Sequence, residues 1–324
     1  MCSVTQESFD SLVEYKADST NSLQWTSPFV LPVWMKVWWQ AFGTGFEPRL
    51  TAVRDGKIIG LSCLKVKDGV ASFVGSDNVC DYIDFVVATG REDDFFNSLL
   101  DDLKRDNLLR LDLGLLRPDS LVLTKLADIA RGRGGEVSIQ KEDVSYEMDL
   151  PTTWEGYLET LNTKQRHEVR RKLRRLDEGG KVDYRLVKSD GADDSVMDTF
   201  MRLFPLARED KAGFLTPEME SYFRLLARSL GEADLLRLGV MELDSHPVAT
   251  IMCFDYNDVI YLYNSGYDPQ YDSLSVGLLS KVLCIKQSVQ ERKRRFDFLK
   301  GNEVYKQRLG GKEIPLYRCQ IAIK

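Results

Sequence analysis

The sequence predicts an α/β protein of two tandem units, each a mixed, mostly antiparallel sheet flanked by helices, covering residues 1–150 and 151–324. Three observations lead there. The chain has 324 residues, 43% of them hydrophobic, enough for about two packed cores at roughly 150 residues each. Strand-like runs repeatedly meet across short polar turns, as in VRDGKI and FDYNDVIY, which is the pattern of hairpins. Strand-like and helix-like segments also follow one another in a similar order in the two halves, a weak internal repeat of topology without clear sequence identity.

The first half opens with polar residues. In SPFVLPVWMKVWWQAFGTG the apolar residues Val33, Val37, Trp38 and Phe42 fall at helical spacing, and Gly43 is a stop. Two strands flank Asp55-Gly56, and a second turn at Lys67-Asp68-Gly69 leads into VASFVG. DYIDFVV reads as a strand, Asp93 to Arg105 as a helix, LLRLDLGLL as a strand, Ser120 to Arg131 as a helix, and VSYEMDL as an alternating strand.

The second half begins near Pro151 with a short helix over 154–161. A basic helix follows, with Thr163 as N-cap, Gly179 as the residue past its end, and a narrow apolar stripe of Val169, Leu173 and Leu176. VDYRLV is a strand. Helices run from about Asp194 to Arg208 and from about Pro217 to Leu230. Three strands joined at Asp244-Ser245 and Asn257-Asp258 come next, then the polar loop DPQYDSLS and a helix from Val276 to about Arg292. RRFDFLK is a strand, NEVYKQRL a short helix and EIPLYRCQIAI the last strand.

Composition narrows the function classes. The net charge of −6 argues against a general nucleic-acid partner, so an anion site must be local. The six cysteines are scattered, without a CxxC pair, and several lie in apolar runs, which argues against a disulfide framework or zinc; no metal is expected. The start MCSVTQESFD lacks a basic segment followed by an apolar one, and no apolar run approaches the roughly 20 residues of a membrane span. The expectation is a soluble, reduced, cytoplasmic protein. Two histidines, His167 and His246, leave little room for a histidine-based triad.

Four stretches carry candidate chemistry. In QYDSLSVGLLSK a polar loop enters a helix with Gly277 in its first turn. Unpaired amides there suit a phosphate, and Ser275 caps or donates a hydroxyl; an ordinary cap with a packing glycine would read the same. In FDFLKGNEVYKQRL, Asp297 is an acid in an apolar strand and needs a partner if buried. Tyr305 follows where a phenol can donate a proton or pack on the sheet. In the basic helix, Arg166, Arg170 and Arg174 form one row that repels itself unless acids or an anionic ligand face it. Trp34 and Trp38 share a helix face suited to core packing, which leaves Trp39 to one side as a surface for stacking on a sugar or substrate.

The stretch YNSGYDPQYDSLSVGLLSKVLCIKQSVQERKRRFDFLKGNEVYKQRLGG resembles the acetyltransferase family, within the GNAT superfamily, named for members linked to cellulose biosynthesis. The pieces stand here as Asn264-Ser265-Gly266, Ser275-Val276-Gly277-Leu278, and Asp297-Phe298-Leu299-Lys300-Gly301 with Tyr305, Lys306 and Arg308. The basic helix NTKQRHEVRRKLRRLDEGG is also similar, and FVLPVWMKVWWQAFG and DYIDF look like the family's N-terminal segments. Val276 stands in place of the usual proline and Lys300 in place of arginine, which keeps a charge but loses bidentate geometry.

The resemblance implies two GNAT-like units, the first degenerate, with an architecture similar to the Fem-type aminoacyltransferases that build peptidoglycan cross-bridges from aminoacyl-tRNA. It implies an N-acyltransferase that uses acetyl-CoA or another acyl-CoA as co-substrate. Asn264, Ser265, Gly266, Ser275, Val276, Gly277 and Leu278 would hold the cofactor. Tyr305, Asp297 and Glu303 would move protons. Lys306, Arg308, Arg166 and Trp39 would hold substrate, a small-molecule or glycan amine. The rival expectations are a transferase whose partner is tRNA, and an inactive scaffold in envelope polysaccharide assembly.

Overall fold

The computed structural model describes residues 2–188 and 194–323. In chain order the first elements are β1 (Ser3–Gln6), α1 (Phe9–Ala17), α2 (Pro32–Phe42), β2 (Glu47–Asp55), β3 (Lys57–Lys67), β4 (Val70–Phe73), β5 (Val86–Val87), α3 (Glu92–Arg105), β6 (Arg110–Leu116), α4 (Ala127–Gly132) and β7 (Val137–Asp149). Then come α5 (Trp154–Thr160), α6 (Thr163–Glu178), β8 (Val182–Lys188), α7 (Asp194–Leu203), α8 (Glu209–Phe214), α9 (Pro217–Glu232), β9 (Leu236–Leu243), β10 (His246–Tyr256) and β11 (Val259–Tyr267). The last are α10 (Val276–Gln290), β12 (Arg295–Lys300), α11 (Val304–Arg308) and β13 (Lys312–Ala322).

Three hairpins turn on residue pairs with left-handed backbone: Asp68 and Gly69 (φ +51° and +74°), Asp244 and Ser245 (+49° and +66°), Asn257 and Asp258 (+51° and +60°). Such turns match the twist of the strands they join. Pairing begins directly at each, with Lys67 opposite Val70, Leu243 opposite His246, and Tyr256 opposite Val259.

The chain divides into two compact units, Met1–Val144 with Ile314–Lys324, and Ser145–Glu313. A cut between 150 and 151 would give the last strand to the second unit. In the structure most of β13 lies in the first, because it pairs antiparallel with β6, Cys319 opposite Leu113.

In unit 1 the strand order is β1-β2-β3-β4-β6-β13, with β5 on β3. Its core is aromatic. Trp34 and Trp38 are buried together with Phe29, Phe85, Phe95 and Phe96, and each such ring contributes roughly 1.5–3 kcal/mol on leaving water. β7 begins in unit 1, and its end from Ser145 opens the order of unit 2, β7-β12-β11-β10-β9-β8, antiparallel except for β11 beside β12. Phe200 of α7, Phe204 just past its end and Phe223 of α9 pack together within unit 2.

Several expectations give way to local chemistry. β1 and α1 occupy the polar start, where Ser8 and Ser11 cap α1 reciprocally. DYIDFVV is strand only at Val86–Val87, because the Asp84 carboxylate accepts from the amides of Phe85 and Leu121 at 2.8 and 2.7 Å and holds its segment as a loop. Asn162, not Thr163, is the N-cap of α6, in a capping box with Gln165. The long helix expected from Asp194 ends at Leu203. Pro205, which has no amide to continue it, opens a 3-10 turn before α8. The polar loop 268–275 contains a 3-10 turn, Pro269–Leu274.

Candidate active site

The parallel neighbours β11 and β12 meet at Val259/Arg295, Ile260/Phe296 and Tyr261/Asp297, and no further. Beyond that point β11 stays with β10 as far as Tyr267 opposite Ala249, and β12 stays with β7 as far as Lys300 opposite Ser145. Each carries an extra residue at the parting, Tyr263 in β11 and Phe298 in β12. Bulges bend and twist a strand, so the two edges separate and leave an opening.

The chemistry of the DFLKG stretch fixes that parting. Leu299 is left-handed (φ +60°), and Asp297 accepts its amide at 2.8 Å. Lys306 is 2% exposed. Its ammonium donates to the carbonyls of Leu299 (3.0 Å), Gly301 (3.1 Å) and Lys300, and pairs with Glu303 at 2.9 Å. Gly301 (φ +109°) needs to be glycine, since a Cβ would stand 2.6 Å from the Glu303 carboxylate. Asp297, Gly301 and Lys306 thus form a latch that turns β12 away from β11, with the Lys306 donors engaged within the protein.

At the mouth of the opening stands α10. The amides of Ser275 and Leu278 are taken by the carbonyls of Asp272 and Ser275, which narrows the expected anion contacts to Val276 and Gly277 in the first turn. Ser275 is left-handed (φ +58°) and makes no side-chain cap; its hydroxyl accepts instead from Lys172 of α6 at 2.5 Å. Lys172 also lies 3.5 Å from Glu168. A cation at the positive end of a helix is unfavourable on its own, and an anion between Lys172 and the two amides would reverse that. Gly277 has a packing reason as well: a Cβ would stand 2.5 Å from the Tyr267 ring. Gly266 is similarly constrained, by the backbone of Leu203 and Phe204.

Two lysines that sequence reading did not single out belong here. Lys281, one turn into α10, is 6% exposed. Its amine donates to the Gly277 carbonyl at 2.7 Å and lies 5.1 Å from the centre of the Tyr305 ring. Burial, with the Lys211 charge nearby, lowers its pKa to about 7. Lys211 of α8 donates to the Ser265 carbonyl. The amide and carbonyl of one strand residue point to the same edge, so the Ser265 amide shares the edge its carbonyl turns to Lys211. Burial raises the Tyr305 phenol well above its ordinary value, reinforced by Glu303, so it stays protonated. Burial pushes the Glu303 carboxyl up, but the charge and hydrogen bond of Lys306, with Arg208, hold it below its ordinary value overall. A lone lysine within LLSKVLCI was the legible signal for Lys281; Lys211 offered none.

The remaining candidates scatter. Arg170 and Arg174 of the basic row find acids, Glu155 at 2.8 Å and Glu178 at 3.8 Å. Arg166 is half-buried and Arg308 exposed. Trp39 belongs to unit 1, half-buried against Phe9 and Trp38. Among the described residues, no group of three or more His, Cys, Asp or Glu is placed to hold a metal ion, and no helix is long and apolar enough to cross a membrane.

Residues 163–307 match the family model of an acetyltransferase (GNAT) domain, a span that takes in both parting strands and α10. No curated protein matches the chain. Among solved structures, the chain is similar to FemX, with a TM-score of 0.65 and 12% identity over 98% of this chain and 96% of that one. It is similar to L-PGS from Bacillus licheniformis, at 0.56 and 9% over 88% and 90%. A tandem GNAT protein from the clavulanic acid biosynthesis pathway matches at 0.50 and 12% over 98% of each chain. At such identities the likeness is one of fold. The chain has the architecture of two tandem GNAT-like units, shared with FemX, each a mixed, mostly antiparallel sheet flanked by helices.

Proposed function

We propose that unit 2 is an N-acyltransferase that moves an acyl group, acetyl first among them, from acyl-CoA to an amine by direct attack in a ternary complex. The observation that carries this reading is the parting of β11 from β12 onto the first turn of α10. An extended chain bearing amides, as in the pantetheine arm, can hydrogen-bond to a strand edge that lacks a neighbour. The diphosphate would lie on the amides of Val276 and Gly277 with Lys172 and Ser275. The Ser265 amide, between Asn264 and Gly266, would polarise the thioester carbonyl.

Tyr305 would protonate the departing thiolate. For the acceptor's proton, Asp297 is occupied by the Leu299 amide and Glu303 is held in an ion pair with Lys306. Lys281, with a pKa of about 7, is matched to the task of general base at neutral pH. Arg166 and Arg308 would receive an anionic part of the acceptor, a small molecule or glycan amine. Trp39, on unit 1, is kept as a stacking surface only.

The test is a thermal-shift and mass-spectrometry screen of the purified protein against acyl-CoAs of different length. Stabilisation by acyl-CoA that is lost in Lys172→Glu is expected; no shift with any acyl-CoA would leave only the two-unit framework.

A second reading, transfer from aminoacyl-tRNA, is favoured by α6, where Lys164 and Arg175 are exposed, and by the likeness to FemX. It requires RNA binding that falls steeply with salt and co-purifying nucleic-acid absorbance.

A further inference from the structure

Unit 1 repeats the parting of strands. β4 and β6 are parallel neighbours only at Val70/Arg110 and Ala71/Leu111. After that β4 stays with β3, Phe73 opposite Leu64, and β6 stays with β13 as far as Leu116 opposite Tyr317. Aligning Val70/Arg110 with Val259/Arg295 sets RLDL upon RFDF, so Asp112 stands where Asp297 does. Leu115 is left-handed like Leu299 (φ +54°), and its amide donates to Glu142 at 3.1 Å. The opening holds a cavity of about 410 Å³, within the range of small-molecule sites.

Its chemistry differs from that of unit 2. The helix that follows β4 and β5, α3, carries Glu92, Asp93 and Asp94 in its first turn, so its positive end is already met by acids and does not invite a diphosphate. Charge in the cavity is divided. On β3, Lys65 donates to the Gly75 carbonyl and lies over the Trp38 ring at 4.5 Å; Asp77 acts on its charge, but no ion pair to it is found among the described residues. On the other side, Arg318 of β13 meets Asp77 at 2.8 Å and Asp112 at 2.9 Å, both lining the cavity, and Glu142 behind them at 2.5 Å; Gln320 also donates to Asp112 at 3.1 Å. The order β3-β4-β6-β13 separates the two sides by three strand spacings, about 14 Å of backbone. Ser72, Ser76 and Asn78 also line the space.

We propose that this cavity binds a zwitterionic molecule of about dipeptide size, its carboxylate toward Lys65 and its ammonium toward the carboxylates around Arg318. Gly114 permits that arrangement, since a Cβ would stand 2.9 Å from the Arg318 guanidinium.

The test is calorimetry of the full chain with alanyl-alanine, its N-acetylated form, its amidated form, and acetyl-CoA. Alanyl-alanine should bind at one site per chain, and capping either end should weaken it at least about tenfold. Lys65→Met should weaken it similarly, and Asn78→Trp, at an exposed position that lines the cavity, should block it even if Lys65→Met folds poorly. The proposal is overturned if alanyl-alanine shows no heat at millimolar concentration, if the capped forms bind as well, if binding survives Asn78→Trp, or if acetyl-CoA displaces it.

Discussion

The two partings, β4 from β6 in unit 1 and β11 from β12 in unit 2, use one backbone device. A parallel pair runs for two or three residues, then a left-handed leucine held by a carboxylate turns the second strand away. What surrounds the device differs. Unit 2 brings an acid-free helix turn and the cation Lys172 to the mouth, whereas unit 1 brings an acidic helix turn and a guanidinium encircled by carboxylates. The backbone makes an opening, and the charges at its rim select what enters. If both proposals hold, the same fold would carry an acyl donor in one unit and an unrelated molecule in the other.

The largest expected effect falls on the chemistry of unit 2. Tyr305→Phe should lower turnover by about 10²-fold or more with acyl-CoA affinity unchanged, measured by steady-state rates beside calorimetry; undiminished turnover would remove the phenol from the mechanism. Lys306→Met should strip donors from three carbonyls and cost unit 2 about 3 kcal/mol or more, read by denaturant unfolding. Among the described residues of unit 1, whose leucine is held by Glu142, no lysine is found in that role, so a matching loss there would break the comparison.

Lys172→Glu should weaken acyl-CoA binding about tenfold, or 1.4 kcal/mol. The wild-type stoichiometry should be one per chain; two would mean that the acidic turn of α3 does not exclude the donor. Gly277 is a poorer place to test this, since any side chain there also displaces Tyr267.

The remaining effects concern pH. As a base, Lys281 must be unprotonated, so kcat/KM should rise through pH about 7 and flatten above; a profile already flat from pH 5 would assign the proton to Glu303. For stability, the unfolded lysine has a pKa of about 10.4. Between about 7 and that value the unfolded chain holds the extra proton. Stability therefore rises with pH across this window, by up to about 1.4 kcal/mol per unit, and the cost of the buried charge is fully present below it. Lys281→Met should abolish that slope and stabilise the protein at pH 7 and below.

Much of unit 2 was legible. Turn residues announced the β9-β10-β11 meander because left-handed backbone restricts the residues that can supply it, and the DFLKG stretch lies on one side of the opening with Gly277 at its mouth. What those residues do was less legible. Lys306 reads as a substrate cation but is buried on three carbonyls. Asp297 reads as a base but holds one amide. Each role depends on a backbone bulge that no periodicity reveals. The equivalence of RLDL and RFDF was present in the letters, but four residues are too few to stand out until strand register aligns them.

By itself, the sequence determined most of the order of strands and helices, the hairpin turns and the apolar faces, since these rest on local backbone preference and on period. Only the tertiary structure decided that β13 returns to unit 1, that Lys172 reaches the start of α10, and that Arg318 gathers three carboxylates. Those outcomes depend on contacts between residues far apart in the chain, whose energies no local pattern encodes.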